Sequence, residues 1–278
     1  MRINHNIAAL NTYRQLGNAN NAQQSSMEKL SSGLRINRAG DDAAGLSISE
    51  KMRGQIRGLE KASQNAQDGI SMIQTAEGAL SEAQDILQRM RELSVQAAND
   101  TNVGTDRTAI ADELGELKTE LTRIKDTTQF NTQKLLDGTS AGSAGTVTLQ
   151  VGANATESMA LDFTAGGIDL ATVISTIGTI DVSTNAKAQT QVTTFQTALD
   201  SVSSGRSKLG AYQNRLEHTI NNLDNAGENL TAAESRIRDV DMAKEMMNQT
   251  KASILAQASQ AMLAQANQQP QGVLQLLR

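Results

Sequence analysis

The sequence predicts a mainly α protein: an elongated helical bundle and coiled coil formed by the N- and C-terminal segments, with a small central β-hairpin region. Three observations support this fold class. Apolar residues repeat at helical spacing in both halves of the chain, short runs in the middle alternate between apolar and polar, and aromatic residues make up only 2% of 278 residues. Small and aliphatic side chains pack well between close, thin helices and poorly in a thick mixed core.

The longest heptad pattern lies in the first half of the chain. Its positions step by threes and fours and mix large with small side chains: Leu59, Ala62, Ala66, Gly69, Ile73, Ala76, Leu80, Ala83, Leu87, Met90, Ser94 and Ala97. The pattern predicts one long helix that a neighbouring helix can approach closely.

Two further segments continue this spacing. After a turn over residues 99–104, Thr105 or Asp106 is placed to cap a second helix. Its seam residues are Ile110, Leu114, Leu117, Leu121 and Ile124. The third helix carries Val192, Phe195, Leu199, Val202, Leu209, Leu216, Ile220, Leu223, Leu230 and Ile237, with Arg206, Gln213, Gly227 and Glu234 as weaker positions. We expect one bundle built from both halves of the chain.

The middle of the chain differs in kind, because no Lys or Arg lies between Lys134 and Lys187. Two short runs there alternate apolar with polar residues, and the sequence GANATES separates them. Their apolar members are Val147, Leu149 and Val151, then Met159, Leu161 and Phe163. The pattern predicts a β-hairpin, and a low-complexity linker is the alternative.

Both ends are poor in charge, and residues 252–277 carry none. The apolar positions of the ends are Ile3, Ile7, Leu10, Ile254, Leu255, Met262, Leu263, Val273, Leu274, Leu276 and Leu277. Burying each of the last four would contribute about 1.5–3 kcal/mol. Ordering the adjoining terminal segment costs roughly 1–2 kcal/mol per residue. We therefore expect these side chains to be covered by other copies of the chain, as a polymerisation surface.

Composition excludes several classes of function. A formal net charge of −5 lacks the basic surface that nucleic-acid binding needs, and no apolar run approaches membrane-spanning length. The absence of cysteine excludes disulfides and thiolate sites. The first residues do not form a secretory signal peptide, so on these rules alone the chain is expected to be soluble and unexported.

The sequence gives no sign of an enzyme, a cofactor or a metal site. His5 and His218 are the only histidines, and neither has a companion at helical ligand spacing. Residues 205–210, GRSKLG, resemble the start of a phosphate-binding loop but continue as Ala-Tyr instead of Lys-Ser/Thr. Because Leu209 also fits the heptad, a helix interior is the better interpretation.

Several motifs occur together in a fixed order. They are KLSSGLRINRAGDDAAGLSISEKMRGQIRGL (29–59), LQRMRELSVQAAND (87–100), QFNTQKLLDG (129–138), and the tail segments SRIRDVDMAKEM and LAQANQQPQGVLQLLR. In these motifs the chain resembles the bacterial flagellins. The resemblance implies a filament subunit whose terminal helices form an inner coiled-coil tube, beside an outer helical bundle and a variable exposed middle.

Applied to this chain, the resemblance implies five segments. They are 1–42 (inner coiled coil and spoke), 43–138 (outer bundle), 139–187 (short variable region with the hairpin), 188–236 (outer bundle) and 237–278 (inner coiled coil). The short middle implies a thin, smooth filament without large outer domains. The resemblance also replaces the unexported expectation with export of the unfolded chain and an extracellular location. Implied partners are further copies, the export apparatus, a C-terminal secretion chaperone, the filament cap, junction proteins and the host Toll-like flagellin receptor.

The turn-rich segment 32–42 is the spoke that the resemblance places between the inner tube and the outer bundle. Gly33 and Gly40 allow backbone angles that other residues resist, and Asp41 or Asp42 can cap the following helix. A calcium loop is the alternative, but the required alternation of oxygen ligands and the distant Glu are missing.

The motif LQRMRELSVQAAND has two interpretations. With Leu87, Met90, Ser94 and Ala97 on the seam, Arg89 and Leu93 fall on other faces, and the simple interpretation is a solvated helix side. The flagellin resemblance instead implies contacts between protofilaments and with the Toll-like receptor. It assigns these contacts to Arg89, Leu93 and, on the next helix, Glu113.

Three functions remain open at this point. The first is a filament subunit, the second a related axial component such as a hook-filament junction protein, and the third a helical signalling adaptor from an unrelated class.

Overall fold

The computed structural model describes residues 6–139, 142, 145–164 and 166–276, with side chains described as far as Gln268. Its helices are α1 (Ile7–Ser32), α2 (Ala43–Ala97), α3 (Gly104–Thr127), α4 (Leu170–Ile177), α5 (Asn185–Arg238) and α6 (Met242–Leu276). Its strands are β1 (Gln129–Phe130), β2 (Gln133–Lys134), β3 (Thr146–Gln150) and β4 (Ser158–Asp162). The predicted mainly α fold with a small central β region is confirmed.

The chain separates into two compact units. The terminal unit comprises residues 1–54 and 228–278, and the central unit comprises residues 55–227. Both boundaries lie within the long helices α2 and α5. The five segments expected from the sequence remain a prediction, since they divide the chain by role rather than by contacts.

The central unit contains the main hydrophobic core. Its fully buried side chains come from α2, α3, α5 and the segment that joins α3 to α5. They include Ile73, Leu80, Leu87, Leu114, Leu121, Leu135, Phe195, Leu209 and Leu216. Every predicted seam position of α2 from Ala62 to Ala97 is buried, and Leu59 is half-buried. The seam residues of α3 and of α5 are all buried or half-buried. The heptad interpretation of these three helices is confirmed.

Polar side chains fix the pairing of α2 with α5. Arg206, at a weaker position of the heptad, donates from Nη1 to Gln84 Oε1 at 2.7 Å. Ser63 Oγ donates to Asp224 Oδ1 at 3.2 Å. A polar residue is tolerated in this seam because it reaches across to a polar partner on the facing helix.

The predicted cap of α3 is corrected by the structure. The N-cap is Val103 rather than Thr105 or Asp106. Asp106 lies in the first turn, where its Oδ2 accepts from the Val103 amide at 3.1 Å. This carboxylate accepts from a free amide at the positive end of the helix. Asp106 therefore stabilises the helix start from within the first turn rather than from the N-cap position.

The predicted central hairpin is present. Strands β3 and β4 are antiparallel, with Val147 opposite Leu161 and Leu149 opposite Met159. The hairpin packs on α2, where Asn65 Nδ2 donates to the Gln150 carbonyl at 3.0 Å. The linker alternative is therefore wrong.

Two small elements of this region are not evident from the sequence pattern. Strands β1 and β2 pair as a small antiparallel hairpin. The two residues that join them, Asn131 and Thr132, have φ of 47° and 66°. Helix α4 is capped by Asp169, whose Oδ1 accepts from Ala171 N at 2.8 Å.

In the terminal unit, α1 and α6 pack against each other in antiparallel directions. Asn6 Nδ2 donates to the Ala266 carbonyl at 2.7 Å. At the other end of the pair, a hydrogen bond from Ser26 lowers the pKa of the Glu245 carboxyl. The start of one helix therefore faces the end of the other.

A close backbone crossing brings Gly167 against α5. A Cβ at Gly167, where φ is +92°, would lie 1.7 Å from the Ser201 carbonyl oxygen. A Cβ at Gly205 would lie 2.5 Å from the Gly167 carbonyl carbon. The phosphate-loop-like segment 205–210 is thus helix interior, and Gly205 is needed for packing.

Two alanine substitutions in the same helix test this crossing. Gly205→Ala must push the crossing backbone away, so we expect destabilisation of about 1–3 kcal/mol, the range typical of overpacking. A Cβ placed at Gly210 would meet nothing within 4 Å, so Gly210→Ala should stabilise by about 0.5–1 kcal/mol through helix propensity. Urea unfolding followed by circular dichroism measures both. Equal effects of the two substitutions would contradict the close crossing.

Candidate assembly surface

The seam between α1 and α6 is built mainly from small side chains. Buried and half-buried residues follow three-four spacing along each helix: Ala9, Thr12, Leu16, Ala19, Gln23, Ser26 and Leu30 on α1, and Ala252, Ala256, Ser259, Leu263 and Ala266 on α6. Those that are buried rather than half-buried are Ala19, Ser26, Ala252 and Ala266. This is a narrow coiled-coil seam that lets the two helices approach closely.

Most large apolar side chains of α1 and α6 lie outside this seam, apart from Leu16, Leu30 and Leu263. The exposed ones in the terminal unit are Ile7, Leu10, Tyr13, Met27, Ile48, Met242, Met246, Met247, Ile254, Leu255 and Met262. Among the described residues, the central unit exposes only two large hydrophobic side chains, Val95 and Val103. The solvent-exposed apolar surface of the described residues is therefore concentrated on the terminal unit.

On α6 the exposed side chains spread over more than one face. Met247 and Ile254 are seven residues apart, as are Leu255 and Met262, so they form two rows along the helix. Met246, Met247, Ile254 and Leu255 also line a shallow cavity of about 480 Å³. A helix that is apolar around most of its circumference is typical of a position surrounded by other helices.

The predicted polymerisation residues have different surroundings. Ile7, Leu10, Ile254, Leu255 and Met262 are between 49% and 69% exposed, whereas Leu263 is half-buried in the seam. Ile3 and Leu277 lie outside the described residues, and the side chains of Val273, Leu274 and Leu276 are likewise not described.

Four methionines of this surface were missed in the sequence analysis. They are Met27, Met242, Met246 and Met247. Met242 and Met246 are one helical turn apart, which is a recognisable signal. The pattern was obscured because Lys244, Glu245 and Lys251 surround these methionines with charge.

The pair of helices buries little apolar surface between them. Its fully buried apolar residues are Ala19, Ala252 and Ala266, whereas the larger seam residues Leu16, Leu30 and Leu263 are only half-buried. Helical hydrogen bonds alone leave isolated helices marginal. Covering the exposed side chains is therefore an available source of further stabilisation.

The segment predicted as the spoke is a hydrogen-bonded loop in which three of the four predicted residues have defined roles. Gly33 ends α1 with φ of +73°, and its amide donates to the Lys29 carbonyl at 2.9 Å. Asp42 caps α2, since its Oδ1 accepts from Gly45 N at 2.8 Å.

The Asp41 carboxylate closes this loop on itself. Its Oδ2 accepts from the amides of Arg38 at 2.9 Å and Asn37 at 3.0 Å. These two bonds hold the pKa of Asp41 below its usual value, because they stabilise the ionised carboxylate.

The expectation for Gly40 is wrong. Its φ is not in the left-handed region, and nothing lies within 4 Å of a Cβ placed there. The backbone freedom expected of Gly33 and Gly40 is needed at Gly33 alone.

The same loop is held to the junction between α5 and α6. Leu34 and Asp239 form an antiparallel bridge, with Arg35 N donating to the Arg238 carbonyl at 2.7 Å and Val240 N to the Gly33 carbonyl at 3.0 Å. Arg238 Nη1 also reaches Glu50 Oε1 on α2 at 2.8 Å and lowers the pKa of that carboxyl. Sequence patterns gave no signal for this contact, because its partners are far apart in the chain.

Arg89 and Glu113 are brought together on the central unit. Arg89 Nη2 and Nε donate to Glu113 Oε1 at 3.0 Å and 3.2 Å, and Nη1 lies 3.5 Å from Glu92 Oε2. The bond to Glu113 raises the pKa of Arg89. Both side chains of the Arg89–Glu113 pair are about half exposed, so this patch is accessible on the isolated chain.

Leu93 requires a correction. It is 2% exposed and belongs to the central core, although its heptad position placed it outside the seam. The reason is that α2 is covered by neighbours on more than one face. Leu93 therefore does not present a surface contact in the isolated chain.

Comparison with known families gives two matches, one in each half of the chain. The family description "Bacterial flagellin N-terminal helical region" matches residues 3–141, and "Bacterial flagellin C-terminal helical region" matches residues 190–277. Together they cover well over half of the chain. The chain belongs to the bacterial flagellin family.

Relatives and solved structures agree with this assignment. The flagellin of Halalkalibacterium halodurans is 64% identical over 278 residues, and that of Bacillus subtilis is 57% identical over 304 aligned positions. Both comparisons cover 100% of each chain. The crystal structure of Bacillus cereus flagellin is 34% identical with a TM-score of 0.50, over 58% of this chain and 88% of that one.

The described ranges also bear on two other classes of site. No helix within them is both long enough and apolar enough to span a membrane. Nor do these ranges contain three or more His, Cys, Asp or Glu side chains grouped so that they could hold a metal ion.

Proposed function

We propose that this flagellin is the structural subunit of a flagellar filament, exported unfolded and self-assembling through its terminal helices into a helical tube for swimming motility. Its work is mechanical, and a structural role fits the prediction that the chain is not an enzyme. The filament lies outside the cell. Without a large domain between β2 and α5, the filament should be thin and smooth.

The observation that supports this proposal is the distribution of apolar surface on the terminal unit. Small side chains join α1 to α6, while large ones such as Leu10, Ile254 and Met262 face water. A monomeric protein gains nothing from exposing them. Covering the same side chains with neighbouring subunits adds buried area without a further ordering cost per chain, so assembly is the state that this arrangement favours.

The finer parts of the proposal concern partners. An export apparatus, a secretion chaperone that binds the C-terminal segment, a filament cap and junction proteins would each need to handle the same exposed terminal helices before or during assembly. The five-segment division of roles, with residues 1–42 and 237–278 in the inner coiled coil, belongs to this proposal, as do the polymerisation residues. So does the spoke role of Gly33, Gly40, Asp41 and Asp42.

A further part of the proposal is recognition by the host Toll-like flagellin receptor. We place this contact at Arg89 and Glu113, whose ion pair presents a guanidinium and a carboxylate side by side on the central unit. The same patch would serve contacts between protofilaments. Leu93 is left out of this contact, because its side chain is buried in the core.

The first experiment separates the three functions kept open by the sequence. Purified chain is mixed with fragments of its own filaments, and growth is followed by light scattering and electron microscopy. A filament subunit should extend the fragments into long filaments. Limited rings or short caps would favour a hook-filament junction protein, and no growth would favour a helical adaptor. Either of these outcomes contradicts the proposal.

The second experiment removes the last apolar side chains. Deleting residues 271–278 should abolish seeded growth, because the terminal leucines can then no longer be buried by neighbours. The same loss is expected when Val273, Leu274, Leu276 and Leu277 are all changed to Ser.

Its control changes two neighbouring glutamines, Gln271→Ser and Gln275→Ser, and should leave growth within about twofold. In every variant the thermal transition of the central unit should stay nearly unchanged, because the substitutions lie outside its core. Normal filaments from the truncated chain would contradict the assignment of these residues.

The third experiment tests the receptor patch. Arg89→Asp places a carboxylate beside Glu92 and Glu113, so the purified unassembled chain should lose at least tenfold in potency in a receptor-reporter assay. The control is Arg123→Asp, since Arg123 is also an exposed arginine paired with a glutamate on the same unit. Unchanged potency of the Arg89 variant would reject this site.

A further inference from the structure

The methionines of this chain divide sharply between the two units. Five are exposed, and all five lie on the terminal unit: Met27, Met242, Met246, Met247 and Met262. Three are buried in the core of the central unit: Met72, Met90 and Met159. Met52 is half-buried, and Met1 lies outside the described residues.

We propose that the five exposed methionines form an oxidation-sensitive modification site of the unassembled chain, whose conversion to methionine sulfoxide by a peroxide prevents self-assembly. The assembly part of this inference rests on the proposed filament function. The modification itself depends only on where the thioethers lie.

The composition limits which side chains a peroxide can oxidise. The chain has no cysteine and no tryptophan, so methionine is its only sulfur-containing residue. A thioether that water reaches is accessible to hydrogen peroxide, whereas one packed in a core is not. Between 47% and 66% of each of the five residues is exposed, and at most 4% of each of the three buried ones.

The reaction needs no group from the protein other than the thioether. A sulfur lone pair attacks one peroxide oxygen, the O–O bond breaks and an S–O bond forms. The second oxygen leaves as hydroxide and takes up the proton of the transferred oxygen, directly or through solvent, to become water. The sulfur is oxidised by two electrons and the peroxide is reduced, and the side chain becomes a polar sulfoxide.

The position of the site explains why assembly would be lost. Met246 and Met247 line one apolar cavity together with Ile254 and Leu255, and Met262 lies in one row with Leu255 on α6. An oxygen on these sulfurs accepts hydrogen bonds, and burying it without a donor is unfavourable. A neighbouring subunit that covers this surface with apolar side chains would therefore be rejected.

The first measurement maps the site. The purified unassembled chain is treated with dilute hydrogen peroxide, and peptide mass spectrometry follows each methionine. The five exposed methionines should be converted at least tenfold faster than Met72, Met90 and Met159. Equal rates in a chain whose central unit is still folded by circular dichroism would overturn the proposal.

The second measurement follows assembly. Seeded growth should slow at least tenfold once the five residues are converted, and should return after treatment with the two methionine sulfoxide reductases, one for each sulfoxide epimer. Unchanged growth after full conversion, or a loss that complete reduction does not reverse, would overturn it. Preformed filaments should protect the five methionines, and conversion at the rate of the free chain would contradict their burial in the filament.

Matched variants complete the test. Changing the five exposed methionines to Leu, which conserves volume and apolar character, should make growth insensitive to peroxide. Changing Met72, Met90 and Met159 to Leu should leave growth sensitive. If the five-leucine chain fails to grow even untreated, the reductase experiment still decides the outcome.

Failure of the proposed function gives a different result. A wild-type chain that never extends filament fragments would reject the filament function and, with it, the effect of oxidation on assembly. The rates of conversion of the eight methionines would still report whether the modification site exists. The two failures are therefore distinguishable.

Discussion

The seam between α1 and α6 is the constraint on which the rest of this structure depends. Alanine and serine occupy most of its positions, so the helices approach closely but bury little apolar surface. Most of the larger side chains are consequently left outside, and those that the structure describes there are about half or more exposed. A helix pair designed to be stable alone would reverse this arrangement, with leucines in the seam and polar residues outside.

The central unit follows the opposite rule. Its helices place Leu80, Leu114 and Leu209 inward, and they carry their charged residues, including the Arg89–Glu113 pair, on exposed faces. The hairpin and α4 close the sides of this core. Gly167 and Gly205 lack a Cβ, so the backbone at Gly167 can pack directly against α5. The central unit therefore covers its large side chains within one chain, whereas the terminal unit leaves many of its own exposed. The difference lies in where each heptad places its large side chains.

The sequence was most informative where one periodic pattern had one meaning. The seams of α2, α3 and α5 and the two alternating strands of the hairpin could be predicted directly, because periodic burial places the apolar residues on one face. The seam of α1 and α6 was harder, since Ala, Ser, Thr and Gln do not stand out from a polar helix. Leu93 was misplaced because a single heptad describes one buried face, while α2 has neighbours on more than one.

Features that depend on distant partners could not be predicted. The contact of Arg238 with Glu50, the bridge from Leu34 to Asp239 and the pairing of Arg89 with Glu113 each join residues from different helices or loops. Asp41 and Asp42 were both recognised as possible caps, yet only the geometry of the loop assigns them different amides. Gly40 shows the reverse case, in which a glycine in a turn-rich segment has no special conformation.

Amide hydrogen exchange gives the most direct test of the claim that neighbouring subunits stabilise the terminal helices. In dilute unassembled chain, the amides of α1 and α6 should exchange at least a hundredfold faster than those of α2 between Ala62 and Ala97, and the difference should disappear in the filament. Terminal helices that are as well protected in the solitary chain as in the filament would contradict the account.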